Sequence, residues 1–158
     1  MVRKVLIVYY SDTGKTAKVA QHVGNDTTAI VEAIDTPVFG KGIWNYLKRA
    51  WFALRKKVIP IKDIENDPAL FDLVVVGSPV WAGHLASPMR SYLLKYSNKI
   101  SKIAFFVTLG SSGAKGAFKD MRQISGLTPI AELAINDQDR KIKQDLSMMS
   151  YFATQLGN

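Results

Sequence analysis

Strand-length apolar runs, separated by stretches with helical spacing, constrain this chain more than any other feature. The first run is VLIVYY at 5–10. Four more follow: TTAIVEAI (27–34), FDLVVVGSP (71–79), KIAFFVTLG (102–110) and PIAELAIN (129–136). Three of these four are nearly continuous in apolar residues, the pattern of strands buried on both faces of a parallel sheet. TTAIVEAI alternates more and has polar ends, as an edge strand does.

Helical signals fill every gap. Thr16 to Val23 reads as a helix stopped by Gly24-Asn25. Ile43, Leu47, Ala50, Leu54 and Val58, joined by Trp44 and Trp51, form one apolar stripe at helical spacing. Ser87 followed by Pro88 offers a capping hydroxyl and a first-turn proline for a helix running to about Tyr96. Ala114 to about Ser125 is a shorter helix. Asn136 is placed to cap a last helix whose inner face reads Ile142, Leu146, Met149, Phe152 or Ala153, and Leu156, with Gly157 as its stop. Strict alternation of five strands and five helices predicts an α/β fold: a three-layer α/β/α, doubly wound, five-stranded parallel sheet in a single domain over 1–158.

In such a fold the loops leaving the C-terminal strand ends share one edge, where ligands bind. Three of these loops are rich in glycine: SDTGKT (11–16), GSPVWAG (77–83) and TLGSSG (108–113). The Gly14-Lys15-Thr16 triplet suggests a nucleotide-phosphate loop, but a Walker loop would need its first glycine at position 9, which is Tyr9. What remains is a hydroxyl-rich turn, Ser11-Asp12-Thr13-Gly14-Lys15-Thr16, entering a helix. It suits a single terminal phosphate better than a triphosphate.

The absence of cysteine excludes disulfides, thiolate metal sites and cysteine nucleophiles. No His, Asp and Glu cluster has metal-ligand spacing, no catalytic triad is indicated, and His84 reads as a surface or capping residue. No apolar run reaches membrane-spanning length, so a cytoplasmic location is expected. Charge is the unusual feature. The chain carries 21 Lys and Arg against 13 Asp and Glu, a net +8. Lys41, Lys48, Arg49, Arg55, Lys56 and Lys57 all fall in one segment, 41–57, that has no acid. Basicity without a recognisable nucleic-acid motif supports no specific nucleic-acid partner.

The three loops together resemble the flavodoxin family, carriers of flavin mononucleotide (FMN), over essentially the whole chain. Ser11, Thr13, Gly14 and Thr16 match the family's phosphate loop. The resemblance implies strand order 2-1-3-4-5. It also implies FMN as cofactor, with its phosphate on residues 11–16. The isoalloxazine would lie against Pro79, Val80, Trp81, Ala82 and Gly83, with Trp81 stacking on one face, and its polar edge would face backbone groups of Thr108, Leu109, Gly110, Ser111, Ser112 and Gly113. The implied function is electron transfer between redox partner proteins. A flavin-dependent NAD(P)H:quinone-type reductase and a non-redox interaction module are the alternatives.

The chain departs from the family pattern in three ways. Asp12 sets a carboxylate beside the phosphate site, residues 108–117 lack a second aromatic, and the protein is basic where carriers are usually acidic. Residues 77–113 hold no Asp or Glu but carry Arg90, Lys95, Lys99 and Lys102, which predicts a less negative potential for the second electron. The 41–57 helix is expected to lay Trp44, Leu47, Trp51 and Leu54 on the sheet and to show Lys48, Arg49, Arg55 and Lys56 to a partner. An acidic redox protein is the first choice of partner and an anionic membrane surface the second.

Overall fold

The computed structural model describes residues 3–40, 42–136 and 142–157. Along the chain it places β1 (Val5–Tyr9), α1 (Lys15–Thr27), β2 (Ile30–Ala33), α2 (Ile43–Leu54), β3 (Leu73–Trp81), β4 (His84–Leu85), α3 (Ser87–Tyr96), β5 (Ile103–Leu109), α4 (Ala114–Ser125), β6 (Glu132–Asn136) and α5 (Ile142–Gly157). β1 pairs in parallel with β2, Leu6 opposite Ile30, and with β3, Val5 opposite Leu73. β3 pairs in parallel with β5, and β5 with β6. The order is β2-β1-β3-β5-β6. With the two-residue β4 set aside, this is the predicted 2-1-3-4-5.

Alternation along the strands builds two cores, one on each sheet face. Leu6, Val8, Val74, Val76, Phe105 and Val107 point to one side, onto Met89, Tyr92 and Leu93 of α3 and Phe118 and Met121 of α4. Val5, Ile7, Leu73, Val75, Ala104 and Phe106 point to the other, onto Val19 and Val23 of α1 and Phe152 and Leu156 of α5. Each large side chain removed from water this way contributes on the order of 1.5–3 kcal/mol. The central strands are therefore fixed in register, because a one-residue slip would exchange the two cores.

Several local expectations change. α1 runs through Gly24-Asn25 and closes at Thr28, which takes a left-handed φ of 54°. Gly24 serves packing instead: a Cβ there would sit 2.5 Å from Val31 Cγ2, so only glycine lets α1 approach β2 so closely. Ser87 lies inside α3, capped by Ala86, and its hydroxyl makes no capping bond. Asn136 ends β6 opposite Leu109 and does not cap α5, which begins at Ile142. On α5, Met149, Phe152, Ala153 and Leu156 are buried as predicted, but Leu146 is exposed; the side chain of Ile142 lies outside the described residues.

The largest change concerns α2, which packs against β3, β4 and α3 near the C-terminal strand edge. It turns Arg49 and Ala53 inward and its apolar stripe outward. Trp44 is 80% exposed, Leu54 57%, Leu47 52% and Trp51 48%. The expected orientation is thus inverted. The face opposite the stripe is the one that binds, because Ala53 permits close approach and Arg49 meets the carboxylate of Asp12. Lys41 lies outside the described residues.

Candidate functional site

β1, β3 and β5 end side by side, so the loops after them meet on one edge. They form a groove of about 180 Å³ lined by Asp12, Thr13, Lys15 and Thr16 from the first loop, Pro79, Val80 and Trp81 from the second, and Thr108, Leu109 and Gly110 from the third. Tyr46 of α2 completes the wall. A larger cleft of about 660 Å³, between Arg3, Val5 and the end of α5, lies at the opposite strand ends. The three loops converge on the groove, which makes it the candidate site.

The first loop is a tight turn into α1. Gly14 adopts φ 88°, and a Cβ there would meet nothing within 4 Å, so glycine is needed for backbone conformation and not for space. Ser11 does not line the groove; its hydroxyl accepts from the Ala17 N–H at 3.2 Å and closes the turn. The helical ladder of α1 begins with the Lys18 N–H on the Gly14 carbonyl at 3.1 Å, and the N–H groups ahead of it carry the positive end of the helix dipole. Thr13 is exposed at the mouth. Thr16 is buried, and its hydroxyl shares a 2.8 Å hydrogen bond with that of Thr108, tying the first loop to the third.

Asp12 is the residue that sets a negative charge at this mouth, and Arg49 answers it. The Arg49 Nη1 donates to the Asp12 carboxylate at 2.6 Å, and Nη2 donates to the Gly40 carbonyl at 2.7 Å. The same guanidinium lies 5.9 Å from the Trp81 ring and 5.8 Å from that of Phe39. Trp81 also meets Tyr10 and Phe39 edge to face, with centroids 5.6 and 5.4 Å apart. Sequence reasoning placed Arg49 on the solvent face and did not single out Tyr10, Phe39 or Tyr46 for the site. The one available signal was the carboxylate of Asp12, which called for a cation nearby.

The second loop is shorter than expected, because β3 continues through Val80 and Trp81. Ala82 (φ 49°) and Gly83 (φ 78°) form a two-residue hairpin turn, and Trp81 pairs with His84 of β4. Ala82 and Gly83 therefore shape the turn and do not line the groove. The hairpin is held from behind by Asp120 of α4, which is buried. Its carboxylate accepts from the Leu85 N–H at 3.2 Å, from Arg90 at 2.9 Å and lies 3.0 Å from His84 Nδ1, with Lys56 at 3.3 Å. Burial works to raise the Asp120 carboxyl, but the Leu85 N–H, His84, Arg90 and Lys56 outweigh it and hold it below the usual range. His84 is thus a pinned member of this cluster.

Ser111, Ser112 and Gly113 lie beyond the groove, toward α4. Gly113 caps α4, and a Cβ on it would stand 2.6 Å from Gly83 Cα; one on Gly116 would stand 2.1 Å from the Gly83 carbonyl oxygen. The second and third loops touch backbone to backbone here. Asn136 Nδ2 donates to the Ser111 carbonyl at 3.0 Å. The four cations expected to tune the groove do not reach it. Arg90 is paired with Asp120, Lys95 with Asp63 and Lys99 with Asp67, while Lys102 precedes β5 at the far strand ends. Charge at the groove comes from Asp12, Arg49 and Lys15.

No protein-family model matches the sequence, and no curated protein matches it. Solved structures do. The chain is similar to a flavoprotein from Lactobacillus acidophilus NCFM crystallised in complex with FMN, at 23% identity over 90% of this chain and 97% of that one, with a TM-score of 0.75. It is also similar to a flavodoxin from the domain Archaea (16% identity, 98% and 99% coverage, TM-score 0.59) and to oxidised flavodoxin 1 from Bacillus cereus (15%, 96% and 95%, 0.55). Strand order, groove position and these likenesses agree: the chain has the flavodoxin-like fold.

Proposed function

We propose that this chain binds FMN in the three-loop groove and carries electrons between redox partner proteins. The observation that carries the reading is the convergence of a helix-entering hydroxyl loop, a tryptophan-bearing hairpin and a small-residue loop on one strand edge. The residues present suit FMN. The α1 N-terminus with Thr13 and Thr16 offers donors to a phosphate, and Arg49 removes the repulsion that Asp12 would exert. Trp81 presents an apolar ring to a flat heterocycle. Leu109 and Gly110 bring main-chain groups to the remaining side. The flavoprotein of similar fold crystallised with FMN supports the same choice.

When bound, FMN supplies one- and two-electron chemistry. The chain's part would be to bind and orient it: the first loop would anchor the phosphate and Trp81 would cover one ring face, while Asp120 holds the hairpin that carries Trp81. One observation favours the reductase alternative. Gly110, Ser111 and Ser112 are small and exposed, and the nearest aromatic after them, Phe118, is buried in the core. With FMN held here, the third-loop side of the groove would stay open to a second reactant, Tyr46 being the other aromatic in the wall. The cytoplasmic location carries over from the sequence as part of this reading.

The test is steady-state NAD(P)H oxidation by the flavin-loaded protein with added quinone. A carrier shows almost none until a separate reductase is supplied. Fast turnover by the protein alone would replace the carrier reading with the reductase one. Full binding of FMN by Trp81→Ala, with tryptophan quenching unchanged, would remove Trp81 from the site.

A further inference from the structure

We propose that α2 is a docking helix for anionic membrane surfaces. At 100° per residue, Ile43, Leu47, Leu54, Trp51 and Trp44 fall within one arc of about 100°, and all five are exposed. Nothing among the described residues covers them: the side of α2 that meets β3, β4 and α3 is the opposite one, with Arg49 and Ala53. Lys48 and Arg55 border the stripe along the one side next to Trp44, and Lys57 follows its end. Arg55 and Lys57 lie 5.9 and 5.6 Å from the Trp51 ring. From Thr36 to Ile61 the chain has no acid.

The combination selects the partner. An acidic protein would answer the charges but would need its own apolar strip to cover five large side chains. A second copy would bring two basic rims face to face. A bilayer containing anionic lipid answers both, because apolar side chains enter the headgroup boundary while lysine and arginine stay at the phosphates. Two tryptophans suit that boundary in particular. Tyr46 of the same helix lines the groove, so docking would hold the groove about one helix diameter, ~10 Å, from the lipid. This inference goes beyond the flavin reading and does not depend on it.

The test uses the full chain with phosphatidylcholine vesicles that contain or lack phosphatidylglycerol. Co-sedimentation with the anionic vesicles only is expected, with a blue shift of tryptophan emission and quenching by brominated acyl chains. Neutralising the rim (Lys48→Gln, Arg55→Gln, Lys57→Gln) should weaken binding by about 100-fold. Trp44→Ser with Trp51→Ser should weaken it by about 10-fold or more and abolish the brominated-lipid quench. These side chains are exposed, so circular dichroism should show both variants folded. The proposal is overturned if the wild type ignores anionic vesicles, even if an acidic protein binds this face. It is equally overturned if the tryptophan variant binds as the wild type does, which would mean adsorption by charge alone.

Discussion

Arg49→Gln separates the electrostatic role of the groove from its shape. The wild-type guanidinium sits 2.6 Å from the Asp12 carboxylate, with the two side chains only 11% and 20% exposed. Removing the charge costs the fold a charge-assisted hydrogen bond, about 1.5–3 kcal/mol. It also frees the Asp12 charge toward any phosphate held by Thr13 to Thr16. At a separation of ~7 Å and an effective dielectric of ~20, each unit of phosphate charge then meets about 2.4 kcal/mol of repulsion. With screening, a net loss of about 2 kcal/mol, or ~30-fold in FMN affinity, is expected. Fluorescence titration with FMN and with riboflavin reads the difference. Riboflavin has no phosphate and should change by less than about 2-fold, whereas adding Asp12→Asn should return FMN affinity toward wild type. If FMN binding is unchanged, charge compensation by Arg49 is the wrong explanation; if both flavins weaken equally, Arg49 acts instead by placing Phe39 and Trp81.

Three further outcomes follow from the loops. Ala82 holds φ 49° in the hairpin turn, so Ala82→Gly should stabilise the protein by about 0.5–1 kcal/mol, raising Tm by about 1–4 °C in a thermal melt; a lower Tm would contradict the strained turn. Gly116→Ala drives a methyl to 2.1 Å from the Gly83 carbonyl oxygen and should cost about 1–3 kcal/mol in denaturant unfolding while weakening flavin binding; unaltered stability would show that α4 does not press on the hairpin turn. Asp120→Asn removes the carboxylate from Arg90, Lys56 and His84 and should cost about 3–5 kcal/mol at neutral pH. The folded Asp120 carboxyl titrates below its unfolded value. Its stabilisation is therefore present above the ordinary carboxylate range and lost as pH falls through the folded value. Unfolding measured down through that acidic range should be steeper for wild type than for Asp120→Asn, and equal slopes would refute the cluster's role.

Much of this architecture was legible because burial on both faces leaves a plain mark: the continuous apolar runs at 5–10, 71–79 and 102–110 became β1, β3 and β5 to within two residues at each end. Their loops could be placed on one edge for the same reason. Helix α2 was misread because a hydrophobic stripe ordinarily points inward, and here Arg49 and Ala53 occupy the inner face. That choice depends on Asp12, distant in sequence, and spacing alone cannot express it. The hairpin was missed because its first turn position is Ala82, where glycine, asparagine or aspartate would have signalled a positive φ. Gly24 was mistaken for a helix stop because a glycine that admits a neighbouring Val31 looks, in sequence, like one that ends a helix. Thr16, Trp81 and Thr108 line the groove, while Ser111 and Ser112 lie past it because the third loop leads into α4.

The absorption spectrum of the purified protein, with identification of the flavin released on denaturation, tests the central claim most directly. The account predicts the visible bands of bound flavin, FMN and not FAD in the supernatant, and rebinding of about one FMN per chain by the stripped protein. A colourless protein that also fails to bind added FMN would contradict it.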